Sequence, residues 1–441
     1  MPAPRLLLGL VALVGSVVLQ DSDSAELQQG VDRKVSEAAD CSYASLYPRQ
    51  YVCYKTADLS PDSLDGDLTK QAWREVPWTE DFVDISTDTT PRLRTRAKMR
   101  WDDSYLYIAA ELEEPQIWAT LTEDDTVIFK DNDFEVFVDA NGTNHFYKEF
   151  EMNALNKRWS LVLNKPYGDG GYENSTRVSK DNGWSMLPGT KSAVKIMPSG
   201  ALNDPSVKGR AWTVEVALPL ADLAYNSTSA MPAHGTFWRI GFSRVEWNVE
   251  VNSTANKYVK TPKCQSCPKP GDPHEDNWVW SPQGVIAMHN PELWGILQFS
   301  TAAANSTAVA RYDEWPSRSA AMAVYWAEKA FAKDHGGSYS ANLAELLPYS
   351  SPPFQLCASA RTEVELPRTG GFRAVVQSEG SPWGAVVTDD RRLTTFVASS
   401  DARQLGAEPG APVRSAAARW GAWRLGALAA TALLAAGRAW L

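Results

Sequence analysis

Two short runs in this chain set oxygen-bearing side chains at every second position. DNDFEVFVD (131–139) places Asp131, Asp133 and Glu135 two apart, and FYKEFEMNAL (146–155) does the same with Tyr147, Glu149, Glu151 and Asn153. In an extended strand alternate residues share a face, so each run presents a polar row opposite an apolar one. The apolar row of the second run is Phe146, Phe150, Met152 and Ala154, with Lys148 the exception. A face bearing an aromatic ring, carboxylates and an amide suits recognition of sugar hydroxyls. Asp131, Asp133 and Glu135 are also hard oxygen ligands of the kind calcium takes. A third chemistry is glycosidic hydrolysis, for which Glu135 with Glu149 or Glu151 would have to stand about 5 to 10 Å apart across the bond.

A sugar also needs flat apolar platforms for its C–H face. The chain has 18 tryptophans, more than a core requires. Trp73, Trp101, Trp212 and Trp238 fall on apolar faces and are assigned to the core, which leaves Trp118, Trp159, Tyr167, Tyr172 and Trp184 as alternative stacking platforms.

The elements that must position these residues are short. Runs rich in β-branched and aromatic residues recur between turn signals at 105–112, 134–138, 146–155, 158–163, 193–197, 211–218 and 237–245. Their number, brevity and alternation predict an all-β fold, an antiparallel, jelly-roll-like β-sandwich over 58–300. Within it Trp212, Val214, Val216 and Leu218 form an apolar row opposite Thr213, Glu215 and Ala217. After residue 300 the pattern changes. Residues 319–334 carry Met322, Tyr325, Trp326 and Ala330 at helical spacing, and Gly336–Gly337 stop the run. A short helix at 340–347 and strands at 363–366, 372–377 and 385–388 complete a small C-terminal α+β appendage over 311–400.

The ends and the composition indicate a compartment. Residues 1–20 hold the short apolar core of a signal peptide, and 21–57 form a polar leader running into an ordered strand. A stalk rich in Ala, Gly, Pro and Arg (401–418) precedes a hydrophobic C-terminal segment (419–441) with the layout of a GPI attachment signal, or else a simple membrane tail. Sequons at Asn141, Asn174, Asn226, Asn252 and Asn305 agree with a secreted or cell-surface protein. A net charge of −10 speaks against nucleic acid. The one basic run alternates Arg94, Arg96, Lys98 and Arg100 with apolar or small residues and reads as a solvated strand face. Of the five cysteines, Cys41 and Cys53 are candidates for one disulfide, Cys264 and Cys267 pair locally or elsewhere, and Cys357 is left over. A zinc reading of the C-x-x-C with His274 and His289 lacks a second C-x-x-C.

Five phrases in fixed order, LDGDLTKQAW (64–73), RWDDSYLYIAAELEEP (100–115), DNDFEVFVD (131–139), YKEFEMNALNKRW (147–159) and WSPQGVIAMHNPELWGILQF (280–299), resemble the family 9 carbohydrate-binding module. The resemblance implies a β-sandwich that holds a sugar without catalysing its breakdown. Two tryptophans of that family clamp a sugar ring, and their positions fall on Phe129 and Met288, the latter beside His289. The family's ligand carboxylate falls on Glu135 and its amide on Asn153. Its arginine falls on Glu151, a reversal of charge, so the usual ligand does not transfer directly. No G-x-S-x-G, H-E-x-x-H, P-loop or dinucleotide motif accompanies the phrases. The sequence therefore points first to extracellular carbohydrate binding tied to polysaccharide recognition or carbohydrate catabolism, with no required cofactor and calcium as a structural ion. The alternatives are a glycoside hydrolase, an adhesive scaffold, and haem held by Met288 or His289 with a distant partner.

Overall fold

The computed structural model describes residues 47–227, 231–261, 275–357 and 360–398. The segments read as signal peptide and stalk, most of the segment read as leader, Cys41, Cys264, Cys267, His274 and the C-terminal segment lie outside them. The strands are β1 (Gln50–Lys55), β2 (Val83–Asp84), β3 (Thr95–Trp101), β4 (Tyr105–Glu113), β5 (Asp133–Asp139), β6 (Tyr147–Asn153), β7 (Arg158–Leu163), β8 (Glu173–Asn174), β9 (Lys191–Met197) and β10 (Ala211–Pro219). They continue with β11 (Phe237–Trp247), β12 (Val249–Asn252), β13 (Lys257–Lys260), β14 (Glu275–Val279), β15 (Gly295–Ser300), β16 (Arg361–Glu365), β17 (Arg373–Gln377), β18 (Trp383–Thr388) and β19 (Leu393–Val397).

The hydrogen-bonded path β8-β7-β6-β5-β11-β15-β1-β3-β4-β10-β9 curls over on itself into two layers. Pairing is antiparallel except at β1, which runs parallel to both β15 and β3. β1 lies within the segment read as a leader, so the sandwich begins at Gln50 and not at residue 58. Alternation builds the core. Phe134, Val136 and Val138 of β5, Phe150 and Met152 of β6, Trp212, Val214, Val216 and Leu218 of β10 and Met99 and Trp101 of β3 join one buried cluster. Each large apolar side chain so buried contributes about 1.5–3 kcal/mol. Trp73, Trp101, Trp212 and Trp238 are all buried, as expected.

Three expectations are corrected by the structure. Tyr51 and Cys53 point inward from β1, and Cys53 is a fully buried free thiol, so the pairing of Cys41 with Cys53 does not form. Cys357, expected to be the unpaired one, is disulfide-bonded. On β3, Lys98 and Arg100 are buried and not solvated. Lys98 donates to the carbonyls of Trp73 (2.6 Å) and Val76 (2.8 Å), and Arg100 to those of Tyr54 (3.1 Å) and Ala72 (2.8 Å). The phrase at 64–73 folds across them, and its short helix Gln71–Arg74 leaves carbonyls that these cations satisfy.

The C-terminal unit is a helix, Trp315–Asp334, against the antiparallel sheet β16-β17-β18-β19. It is built on the sandwich, because Met322, Tyr325, Phe372 and Val376 share one apolar cluster with Leu293 and Ile296 of the sandwich, and Phe237 packs against it. Polar contacts reinforce the join: Leu393 donates its N–H to the Thr143 carbonyl (3.1 Å), and Arg391 donates to the His289 carbonyl (3.2 Å) and Asn290 Oδ1 (3.1 Å). Arg391 also pairs with Asp169 at 3.1 Å.

Of the sequon asparagines, Asn226, Asn252 and Asn305 are exposed. Asn141 and Asn174 are half-buried, their side-chain oxygens accepting from Ser227 Oγ (2.6 Å) and the Trp184 N–H (3.0 Å). Among the described residues no helix is long and apolar enough to cross a membrane.

Candidate functional site

The antiparallel register of β5 and β6 sets Asp133 opposite Asn153, Glu135 opposite Glu151 and Phe137 opposite Glu149. With Phe134, Val136, Phe150 and Met152 turned into the core, these polar residues occupy the outer face of the layer, as their alternation predicted. Directly opposed residues bring their Cβ atoms to about 5 Å, and like charges so placed repel. Asp133, Glu135 and Glu151 each offer an oxygen within 4.8 Å of the other two, and all three are buried. Burial and neighbouring negative charge push the carboxyls of Asp133, Glu149 and Glu151 well above the usual range. Burial pushes Glu135 up to about 7, with Glu275 adding to the shift and the Ser243 hydroxyl opposing it. Glu135 and Glu151 stand side by side on one sheet rather than facing each other across a groove.

The hydrogen bonds divide the acidic row sharply. Asp131 accepts from the backbone N–H groups of Thr120 (2.7 Å) and Leu121 (2.8 Å) and from the Thr120 hydroxyl (2.8 Å). Asn153 donates to the Leu121 carbonyl and to Asp131 Oδ2, each at 3.0 Å, and its oxygen accepts from the N–H groups of Leu155 and Lys157, also at 3.0 Å. Both therefore hold the 120–121 and 155–157 turns in place. Asn153 has no donor left for a sugar, and Asp131 is committed to the fold rather than to an ion. Asp133 and Glu135 differ, because Asp133 Oδ2 and Glu135 Oε2 accept no hydrogen bond. Glu151 accepts one from the Phe129 N–H at 3.0 Å.

That bond fixes Phe129, which is 36% exposed, beside the acids. The Phe129 carbonyl accepts from Trp247 Nε1 at 2.8 Å, and Lys260 Nζ lies 3.4 Å from the centre of the Trp247 ring. On β7, Trp159 pairs with Glu151, and the Arg177 guanidinium covers its ring at 4.9 Å. Met288 packs against the apolar cluster of Phe137, Tyr147, Trp159 and Trp294 on the same outer face. His289 is half-buried there, its Nδ1 hydrogen-bonded to the Tyr147 hydroxyl at 3.0 Å and its ring edge-on to Tyr167 at 4.7 Å. Burial and the nearby Arg391 charge lower its pKa to about 4. His289 is thus a neutral packing residue at ordinary pH, and the exposed ring above it is Tyr167.

The structure gathers Phe129, Glu135, Glu151, Met288 and His289 on one face. Sequence reasoning missed Ser243, Trp247, Arg177 and Glu275 around it. They come from β11, β14 and the turn after β8, and no local spacing signals their approach.

A two-layer β-sandwich whose outer sheet face carries acids beside loop-borne aromatic rings has the architecture of a ligand-binding module. Residues 64–299 match the model of the family described as carbohydrate family 9 binding domain-like. The chain belongs to that family. It is similar to the solved family 9 carbohydrate-binding module of Caldicellulosiruptor kristjanssonii in complex with cellotriose, at 17% identity and a TM-score of 0.35, covering 60% of this chain and 100% of that one. The same module in complex with glucose is similar at 17% identity and a TM-score of 0.35, covering 59% of this chain and 100% of that one. No curated protein matches the sequence.

Proposed function

We propose that the protein is a non-catalytic carbohydrate-binding module displayed outside the cell, with its sugar against the outer face of β5 and β6. The observation that carries this reading is the placement of exposed rings at a buried acidic row: Phe129 at Glu151, and Tyr167 on the same face above His289. Rings supply the apolar surface for C–H groups, and carboxylates accept from hydroxyls. Membership of the family supports the class of ligand. Display outside the cell, glycosylation and a GPI or tail anchor are supported by the apolar segments at the two ends and by the exposed sequons Asn226, Asn252 and Asn305.

The test is a glycan array that includes glucose and cello-oligosaccharides, probed with the protein produced through the secretory route. Specific binding is expected, and Glu135→Ala is expected to abolish it while leaving the circular dichroism spectrum unchanged. Silence across diverse glycans from a folded protein overturns the reading.

A further inference from the structure

Asp133, Glu135 and Glu151 bring three carboxylates together on a buried face, and among the described residues no lysine or arginine forms an ion pair with them. Cations on the neighbouring segments have other partners. Arg244 bridges Glu114 (2.9 Å) and Glu246 (2.8 Å), Arg177 pairs with Glu173, and Lys260 sits on the Trp247 ring. Two of the oxygens, Asp133 Oδ2 and Glu135 Oε2, have no hydrogen-bond donor, although their residues are 0% and 3% exposed. A buried carboxylate oxygen without a donor is costly, and a cation shared among several of them would relieve that cost.

We propose that Asp133, Glu135 and Glu151 bind a divalent cation, with calcium the ion that fits. The chemistry of the donors selects the ion. Each residue offers an oxygen within 4.8 Å of the others. Calcium takes several carboxylate oxygens in flexible geometry, whereas magnesium demands near-ideal octahedral geometry and keeps several of its waters. The donors are oxygen alone, which disfavours zinc and copper. This set differs from the one read in the sequence. Asp131 drops out because its oxygens are held by Thr120, Leu121 and Asn153, and Glu151 enters from the neighbouring strand through the Glu135–Glu151 register. The inference rests on the carboxylates and not on the sugar reading.

The experiment strips the full chain with chelator and titrates it with calcium chloride by calorimetry, without sugar. The wild type is expected to take up calcium and to melt at a higher temperature when loaded. Glu151→Gln and Glu135→Gln, which keep side-chain volume and remove charge, are each expected to lose one equivalent or to weaken its binding at least tenfold. A folded wild type that takes up no calcium at millimolar concentration overturns the proposal. So does uptake that both variants retain at wild-type affinity, since the ion then lies elsewhere. Calcium uptake with a silent glycan array would leave the metal site standing and remove the sugar reading.

Discussion

Glu215 on β10 and Glu135 on β5 both point away from the common core, one from each layer, and both are buried, yet their surroundings are opposite. Glu215 accepts from Trp73 Nε1 (2.6 Å), the backbone N–H groups of Gly66 (2.8 Å) and Asp65 (3.0 Å), and Lys70 Nζ (2.5 Å). The phrase LDGDLTKQAW thus folds as a cover over one carboxylate. Gly66 has φ +80°, and a Cβ there would come 2.6 Å from the Lys195 nitrogen, so only glycine lets the cover close. Glu135 meets Glu151 across the strand pair and leaves Oε2 without a donor. A buried acid enclosed by donors belongs to the fold. One facing other acids is available to a ligand, and the hydrogen bonds, not the burial, tell them apart.

Removing the satisfied carboxylate should have the largest effect. Glu215→Ala leaves an indole N–H and two backbone N–H groups without their partner and Lys70 with Asp65 alone, and should cost about 3–5 kcal/mol, read by urea denaturation. A loss below about 1 kcal/mol would erase the distinction between the two sites. The second expectation concerns pH in the presence of chelator. Folding raises the Glu135 pKa from its ordinary 4.5 to about 7, so between those values the folded chain holds a proton that the unfolded chain releases. Stability is therefore full below about pH 4.5 and falls as pH rises toward 7, by on the order of 3 kcal/mol at 1.36 kcal/mol per unit. Denaturation curves at pH 5 and pH 8 measure it, and identical midpoints would mean the acids are neutralised some other way. The smallest effect is Glu151→Gln in chelator at pH 8, which removes one like charge and should stabilise by about 1 kcal/mol. A destabilised variant would show that Glu151 is held, like Glu215, by bonds the fold needs.

The legible part of this molecule was its periodicity. Strand alternation at 131–139 and 146–155 identified which residues share the outer face, and helical spacing after residue 315 identified the long helix, because period depends only on neighbours in the chain. The choice between ligand and support was not legible. Asp131 and Glu135 look alike in DNDFE, and only the approach of Thr120 and Leu121 commits the first to the fold. Lys98 and Arg100 read as solvated because the carbonyls they satisfy belong to residues 54–76. Cys53 turned inward because β1 is a central strand, a role set by its parallel partners β3 and β15, which are remote in sequence.

The cluster that joins Leu293 and Ile296 to Met322, Tyr325 and Phe372 bears on how the protein can be divided. The family match ends at residue 299, and a fragment cut there would present that apolar surface, with Phe237 beside it, to water. Such a fragment would aggregate or recruit foreign surfaces, and its glycan profile would report stickiness rather than recognition. The domain boundary that sequence similarity draws is a historical one, while the smallest unit that can be handled in solution runs on to the end of β19.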